Sequence, residues 1–583
     1  MTTELVPIVP RWGSFVQCLQ AHAADRPEAL ALYELAGLRD LRASLSFSAL
    51  DRRAKAVAAR LQALGAGGQR VLLVLDNDLH YLISFLGCGY AGSVAVNLLP
   101  PKKPKHMARI AHVARDCDAS VVLLSRRLAA SFKAEMSAQL GLEALITVVA
   151  EDIGEEEAKG YLPTTPDTHD VCFIQYTSGS TGEPRGVMVS HNNLIMNCAT
   201  MQRMFALGVE DHALNWMPLY HDLGLIIGHL LPLYCGFPSG LADPLSFIKH
   251  PIRWLKAISE RRVTFAGGPN FAYDLCLDTL DPAELQGLDL SCWQVAYNGA
   301  EHVRSRTVAA FAQTFAHLGF QPTATGPTYG LAEFTLVVTT KPRGELPSVR
   351  DLDAEALARG EIRPAVEGAR SVTVVSSGHP GPGTTICIVD PDTELPVAAD
   401  RVGEIWVAGA SIAQGYWGKE EASERTFRAR LPDDTRPWLR TGDLGFLDGP
   451  NLYVTGRSKD VIIICGVNHY PQDIEETVER AHAAIRPNFV MAFADQIDGE
   501  EVLVLVAELR RGEAEGLDLS SLADPIFRAV AREHEITARE VHFVHHGQVP
   551  KTTSGKLQRS HCRALLRAGQ LEIHGSFRRG GAR

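Results

Sequence analysis

The residues most able to do chemistry lie in six short segments spread over most of the chain. YTSGSTGEPRGV, from Tyr176 to Val187, interleaves the hydroxyls of Thr177, Ser178, Ser180 and Thr181 with Gly179 and Gly182. Small residues let backbone N–H groups approach phosphate oxygens, and hydroxyls add donors. The spacing is not that of the P-loop, and a plain Ser/Gly loop has the same composition. NGAEHVR begins at Asn298 and is followed by PTYGLAEFT, Pro327 to Thr335. Tyr329, beside Gly330, can stack on a purine, and Glu333 lies four residues on, where a carboxylate can hold Mg²⁺ on phosphates. The same pattern also suits a helix start after a tight turn. In WLRTGDLG, from Trp438, Asp443 can accept from two ribose hydroxyls. GRSKDVIIICGVNHYPQDIE begins at Gly456, and PKTTSGKLQR at Pro550 places Lys556 in a polar loop, where lysines are ordinarily just solvated.

These segments need a scaffold. Short Val/Ile/Leu runs alternate with amphipathic stretches: Val71–Leu75 after a helix around Ala54–Leu64, then Ser120–Leu124 and Val171–Gln175. With Gly and Pro at the joints, this predicts an α/β fold with largely parallel sheets. Thr384 to Ala410 has closely spaced strands and predicts a β-rich subdomain. Residues 456–583 predict a separate α+β domain with strands at Val461–Cys465, Val502–Glu508 and Val541–Val544 and helices at Gln472–Ala481 and Leu522–His534. PKKPK, 101–105, reads as an exposed loop, RRGEAEGLDLSS from Arg510 as a solvated loop, and the tail SFRRGGAR as disordered.

At 583 residues the chain exceeds a single core. Its net charge of −11 argues against a general nucleic-acid binder, which needs a basic face. The eleven cysteines form no CxxC pair and read as free, mostly buried thiols in a reducing, cytoplasmic setting. The opening residues show no basic segment followed by an apolar run, and the best apolar run, Leu223 to Leu233, is too short to span a membrane and contains His229.

Taken in order, YTSGSTGEPRGV, YGLAE, RTGD, GRSKD and PKTTSGK resemble the motif series of the AMP-forming acyl/aryl ligase superfamily, from about Ser14 to Arg563. WMPLYHDLGLIIGHLLPLYCG (216–236), PNFAYDLC (269–276), LDLSCWQVAYNGAEHVR (288–304), YGLAEFT (329–335) and NHYPQDIE (468–475) resemble the fatty acyl-AMP ligases in particular. The resemblance implies an adenylate-forming fold: a large N-terminal domain, 1–455, with α/β and β-rich subdomains, and a small mobile α+β domain, 456–583. It implies activation of a fatty acid with ATP and Mg²⁺ to acyl-AMP, releasing pyrophosphate. The acyl group would pass to the phosphopantetheine of a holo acyl carrier protein or carrier domain, in lipid, polyketide or nonribosomal peptide synthesis. A monomer is expected.

By the same resemblance Lys556 is the catalytic lysine and His221 lies at the mouth of the acyl pocket, lined by Trp216 and Phe334. Thr177, Ser178, Gly179, Ser180, Thr181 and Gly182 hold phosphates. Asn298, Gly299, Ala300 and Glu301, with Tyr329, Gly330, Leu331 and Ala332, enclose adenine. Glu333 holds Mg²⁺, Asp443 and Arg457 bind ribose, and Lys459 marks the hinge. Lys341 to Val375 is the candidate for the extra segment by which such ligases hamper CoA use, with Leu346, Val349, Leu352, Leu357, Ile362 and Val366 spaced to dock; a tolerated surface insertion is the alternative. Arg185 replaces the usual Lys, Phe334 the usual Ala, and Cys465 and Val467 stand where arginines are frequent. A phenyl ring in place of a methyl predicts a shortened acyl pocket. Two other readings share the fold: an acyl-CoA ligase, and a non-catalytic acyl- or nucleotide-binding protein. The presence of Glu333, Asp443, Arg457 and Lys556 together disfavours the last.

Overall fold

The computed structural model describes residues 8–101, 104–130, 132, 145–178, 184–464, 467–497, 500–513, 517–552 and 555–579. Two large sheets organise the first part. One has six strands in the order Ile146–Val149, Val121–Leu124, Arg70–Val74, Val94–Asn97, Val171–Ser178, Pro184–Ser190. All its pairings are parallel except the last, a hairpin in which Thr177 faces Arg185. The other has nine strands, and its centre (Ser239–Ala242, Ala213–Asn215, Phe265–Gly268, Val295–Asn298, Thr325–Gly330) is parallel. Strands such as Val71–Val74 and Val121–Leu124 are buried at every position, because helices cover both faces. The alternation of runs and helices thus predicts the α/β part correctly, with the first long helix running Phe47–Ala63 from an N-cap at Ser46.

A β-rich sheet follows, with Thr385–Val389, Gly403–Ala408, Ala429–Leu431 and Asn451–Arg457 arranged around the long strand Asp434–Asp448. Lys341–Val375 forms its own small unit: a hairpin of Val349–Asp353 with Ser371–Val375, carrying the short helix Ala354–Ala358. Leu352 and Leu357 are buried and Ile362 is partly buried, against Phe446, Tyr453 and Tyr470. Leu346, Val349 and Val366 do not dock; they are 64%, 44% and 66% exposed.

The last part has a four-stranded sheet ordered Ile485–Ile497, Glu500–Leu509, Ala538–Val544, Ile573–Arg578. Period-two alternation gives it two apolar faces. Val490, Ala492, Leu503, Leu505, Val541 and Phe543 pack toward helices Pro471–Ala481 and Leu519–His534. Met491, Phe493, Val504 and Val506 pack with Cys562 of helix Arg559–Arg567. The expected strands and helices here are present, though Cys465 itself is outside the described residues. Strand Ile485–Ile497 and helix Arg559–Arg567 are additional. The tail departs from expectation: Ser576 to Arg578 continue an edge strand, held by ladder hydrogen bonds to Ala538–Val544 rather than by an apolar pattern. Lys102 and Lys103 of the basic run lie outside the described residues, and Pro104 opens a helix.

Among the described residues ten cysteines are free thiols, nine of them buried and Cys387 half-buried. Among the described residues no helix is long and apolar enough to cross a membrane; Leu223–Leu230 is a single stretch of π-helix.

Candidate active site

The phosphate-loop candidate lies in sequence between the antiparallel strands Val171–Ser178 and Pro184–Ser190. Thr177 sits at the end of the first strand; Gly179, Ser180, Thr181 and Gly182, with the side chain of Ser178, lie outside the described residues. Beyond the hairpin, helix His191–Met204 is capped by Ser190, whose hydroxyl accepts from the Asn193 amide at 3.1 Å.

Asn298 ends a central strand of the nine-stranded sheet, and the turn after it is tight. A β-carbon at Gly299 would lie 2.5 Å from the Thr328 carbonyl oxygen, and Ala300 holds φ +69°. A left-handed alanine is strained, a feature that concentrates at functional turns. Gly330 is equally confined, 1.9 Å from the Leu336 oxygen if given a β-carbon. Leu331, Ala332 and Glu333 run into a single 3₁₀ turn rather than a longer helix. The Glu301 carboxyl accepts the Phe271 amide at 2.6 Å. Burial pushes its pKa up, and Lys551 opposes that rise.

Tyr329 is buried and donates its hydroxyl to Asp443 Oδ2 at 2.8 Å; Arg457 Nε donates to Oδ1 at 3.0 Å. The second contact follows from register, since Asp443 and Arg457 are paired across adjacent strands. Glu333 Oε1 accepts from Tyr416 Oη at 2.9 Å, and Arg185 lies 5.3 Å over that tyrosine's ring. Tyr416, from the GYWG segment, was not singled out from the sequence; a tyrosine flanked by glycine carries no chemical signal of its own.

His221 Nδ1 lies 2.7 Å from Asp222 Oδ1. Burial would raise the Asp222 pKa, but His221 and Lys556 bring it down to about 2. The π-helix Leu223–Leu230 starts at this point, and such helices recur at functional sites. Gln175 donates to the Tyr220 carbonyl at 3.0 Å, tying this segment to the phosphate-loop strand.

Lys556 completes the arrangement. Its loop is closed by the Lys551–Leu557 bridge and by Thr552 N–H donating to the Lys556 carbonyl at 2.7 Å. Gly555, at φ +88°, presses on Phe271: a β-carbon would meet the ring at 2.9 Å. Burial and Arg457 lower the Lys556 pKa, while Asp222, Asp443 and Glu333 oppose the fall. Residues from five distant segments therefore share one electrostatic site. Lys459 occupies the turn 458–460 between Asn451–Arg457 and Ile462–Ile464, where the chain enters its last part.

The two acyl-pocket candidates have different neighbours. Trp216 stacks on Phe247 at 3.9 Å and meets Phe271 edge-on at 6.1 Å, one ring from the Lys556 loop. Phe334 is fully buried with its ring tip against Gly409 of the β-rich region.

A parallel-sheet α/β body, a β-rich sheet and a small lysine-bearing α+β unit meeting over one charged cleft define an adenylate-forming architecture. Residues 19–417 match the family model described as AMP-binding enzyme, and the chain belongs to that family. Residues 459–576 match the AMP domain of Disco-interacting protein 2-like proteins. The medium-chain-fatty-acid–[acyl-carrier-protein] ligase JamA of Moorena producens is 40% identical over 538 residues, 91% of each chain. The long-chain-fatty-acid–AMP ligase FadD32 of Mycolicibacterium smegmatis is 35% identical, over 90% of this chain and 89% of its own. The crystal structure of a fatty acyl-adenylate ligase from L. pneumophila, in complex with acyl adenylate and pyrophosphate, is 36% identical, with a TM-score of 0.75 over 97% of this chain and 98% of that one.

Proposed function

We propose that this enzyme joins a fatty acid to AMP and passes the acyl group to the phosphopantetheine of an acyl carrier protein. The observation that carries the reading is Lys556. More than a hundred residues from Asp443 in sequence, it lies within electrostatic reach of Asp443, Arg457, Glu333 and Asp222. An acid carboxylate and a triphosphate repel each other, and a lysine between them offsets that repulsion. One unit charge at ~4 Å contributes up to about 4 kcal/mol at an effective dielectric of ~20. In the first half-reaction the carboxylate oxygen attacks the α-phosphorus, the bond to the bridging oxygen breaks, and pyrophosphate leaves with that electron pair. Lys556 stabilises the charge gathered on the transferring oxygens. Asp443 and Arg457 take the ribose, Tyr329 and the Asn298–Glu301 turn take adenine, and Thr177 to Gly182 take the outer phosphates. His221, fixed by Asp222, orients the acid at the pocket mouth.

Glu333 suits Mg²⁺, which is commonly held by one or two carboxylates plus phosphate oxygens; no cluster of three or more ligating side chains occurs among the described residues. The ion would supply charge neutralisation on the phosphates. The domain division near 456, with Lys459 as hinge, belongs to the same reading, as do a monomeric state and a cytoplasmic location. Lys341–Val375 is its CoA-restraining segment, supported by the docking of Leu352 and Leu357 beside Tyr470.

The test is to supply ATP, a panel of fatty acids, and either CoA or a holo carrier protein, and to identify products by mass. Acyl-AMP with CoA present, and acyl transfer only to the carrier, is the expected result. Rapid acyl-CoA formation would favour the CoA-ligase alternative. Lys556→Ala should lose more than nine-tenths of adenylation while still binding ATP, since a charge worth several kcal/mol at the transition state implies a far larger loss.

A further inference from the structure

The turn proposed to enclose adenine is wired directly to the part of the chain that carries Lys556. Asn270 Oδ1 accepts from the Asn298 side chain at 3.3 Å and from the Arg304 amide at 3.1 Å. Arg304 then leaves this network and crosses to helix Pro471–Ala481, where its Nη1 lies 2.9 Å from Glu479 Oε2 and its Nη2 3.4 Å from Oε1. The pair is 10% and 3% exposed. Arg306 Nη2 adds a second donor to the same carboxylate at 3.1 Å, and the Asn488 amide a third at 2.6 Å. Asn488 also reaches back, donating to Asp274 Oδ2 at 3.3 Å.

A second contact stands beside the first. Lys551 Nζ lies 3.9 Å from the Phe489 ring centroid and 6.0 Å from that of Phe271, so the ammonium sits between an aromatic ring of each part. The same Phe271 supports Gly555, the residue before Lys556, and its amide is held by Glu301. A buried ion pair of this kind is demanding in geometry, because each charge is tolerable only while its partner is in place. It therefore favours one docking of the two parts over near alternatives.

We propose that the Arg304/Arg306–Glu479 pairs and Lys551 between Phe271 and Phe489 form a latch that holds the Lys556 loop over the nucleotide site, making Glu479 and Lys551 positioning residues for the adenylation step. The proposal rests on the reading of Lys556 as the catalytic lysine. It predicts that the latch serves the first half-reaction and must open for the second.

Glu479→Gln keeps the shape and removes the charge; Lys551→Met removes the second contact independently. Pyrophosphate release at saturating substrates should slow at least about tenfold in each variant, with the KM for ATP moved less than about threefold. Transfer from preformed acyl-AMP to a holo carrier protein should stay the same or speed up. Amide hydrogen exchange around Lys556 and Phe271 should rise in the intact enzyme. Unimpaired adenylation in both variants overturns the latch, and so does a parallel fall of both half-reactions together with a lower melting temperature. If Lys556→Ala keeps its adenylation activity, the Lys556 reading fails. Hydrogen exchange in Glu479→Gln then still decides the latch: increased uptake supports it, and unchanged uptake overturns it.

Discussion

Two of the places where the last part of the chain meets the rest are built from opposite materials. Near the nucleotide turn the contact is charged and directional: Arg304, Arg306 and Lys551 against Glu479, Glu301 and two aromatic rings. At Lys341–Val375 it is mainly apolar: Leu352, Leu357 and Val374 against Phe446, Tyr453 and Tyr470. The rings of Phe446 and Tyr453 stack at 4.8 Å and give the insertion a flat platform, and Tyr470 comes from the other side of the proposed hinge. A charged contact is sharp, since a buried charge pulled off its partner costs several kcal/mol. An apolar contact is graded, scaling with area and tolerating small slides. One suits a position that must be right for chemistry, the other a restraint that shifts a population.

The largest effect is expected at the charged cleft. Asp443→Asn removes the negative charge and replaces one of the two oxygens that accept from Tyr329 (Oδ2) and Arg457 (Oδ1) with an N–H donor. Asp443 is buried but the Arg457 side chain is 56% exposed, so solvent screens that side of the pair. A hydrogen bond to a charged group is worth roughly 1.5–3 kcal/mol, so kcat/KM for ATP should fall by about one to two orders of magnitude. A loss below tenfold would mean that the cleft is more forgiving than its geometry suggests.

Next comes the apolar contact. Leu357→Ala should cost about 2 kcal/mol, the low end for a buried leucine, because this cluster is small. Adenylation should persist while some acyl-CoA appears in the product mass spectrum. Leu357→Met, nearly volume-conserving, should behave like wild type. The comparison breaks if the methionine variant also leaks acyl-CoA, since a graded contact would absorb it.

How much of this was legible beforehand follows the same division. The motif loops were readable through their resemblance to a known motif series, and their backbone needs explain the residue types: Gly299 and Gly330 cannot carry a β-carbon, and Asp443 and Arg457 are cross-strand partners. Parallel strands were readable as apolar runs. Partners that meet only through tertiary docking were not. Arg304 was in a quoted motif, but nothing in a helix such as PQDIEETVERA separates Glu479 from its solvated acidic neighbours. Leu346, Val349 and Val366 had the right spacing and still face solvent, because spacing gives a face and not what covers it. The edge strand Ile573–Arg578 is exposed at most positions, so no periodicity could have revealed it.

A smaller, pH-dependent effect tests the charged cleft without changing its shape. Burial and Arg457 hold the Lys556 pKa below the ordinary lysine value of 10.5. The ammonium is the working form, so adenylation should decline as pH rises through that lowered pKa, earlier than for a solvated lysine. Lys556→Arg should be slower overall but lack this alkaline limb, because a guanidinium stays charged throughout. A limb that persists in the arginine variant would assign it to another group.

The smallest effect separates the two acyl-pocket candidates. Replacement of the usual alanine by Phe334 suggested a shortened pocket, which would make Phe334→Ala favour longer acids. Its surroundings argue otherwise. The ring tip rests against Gly409, at the end of strand Gly403–Ala408, and the backbone carbonyl of Phe334 accepts from Asn197 at 3.4 Å. There the ring fills the junction between the α/β body and the β-rich sheet, and removing it should cost about 3–5 kcal/mol of stability with the chain-length profile unmoved. Trp216 is different: its buried indole N–H has no partner among the described residues, and its ring adjoins Phe271, which backs the Lys556 loop. Trp216→Ala should therefore raise the KM for the acid and alter chain-length preference, each added buried methylene being worth ~0.8 kcal/mol. Melting temperatures and acid profiles of the two variants decide the matter. A shift toward longer acids in Phe334→Ala, with stability retained, would restore Phe334 to the pocket wall.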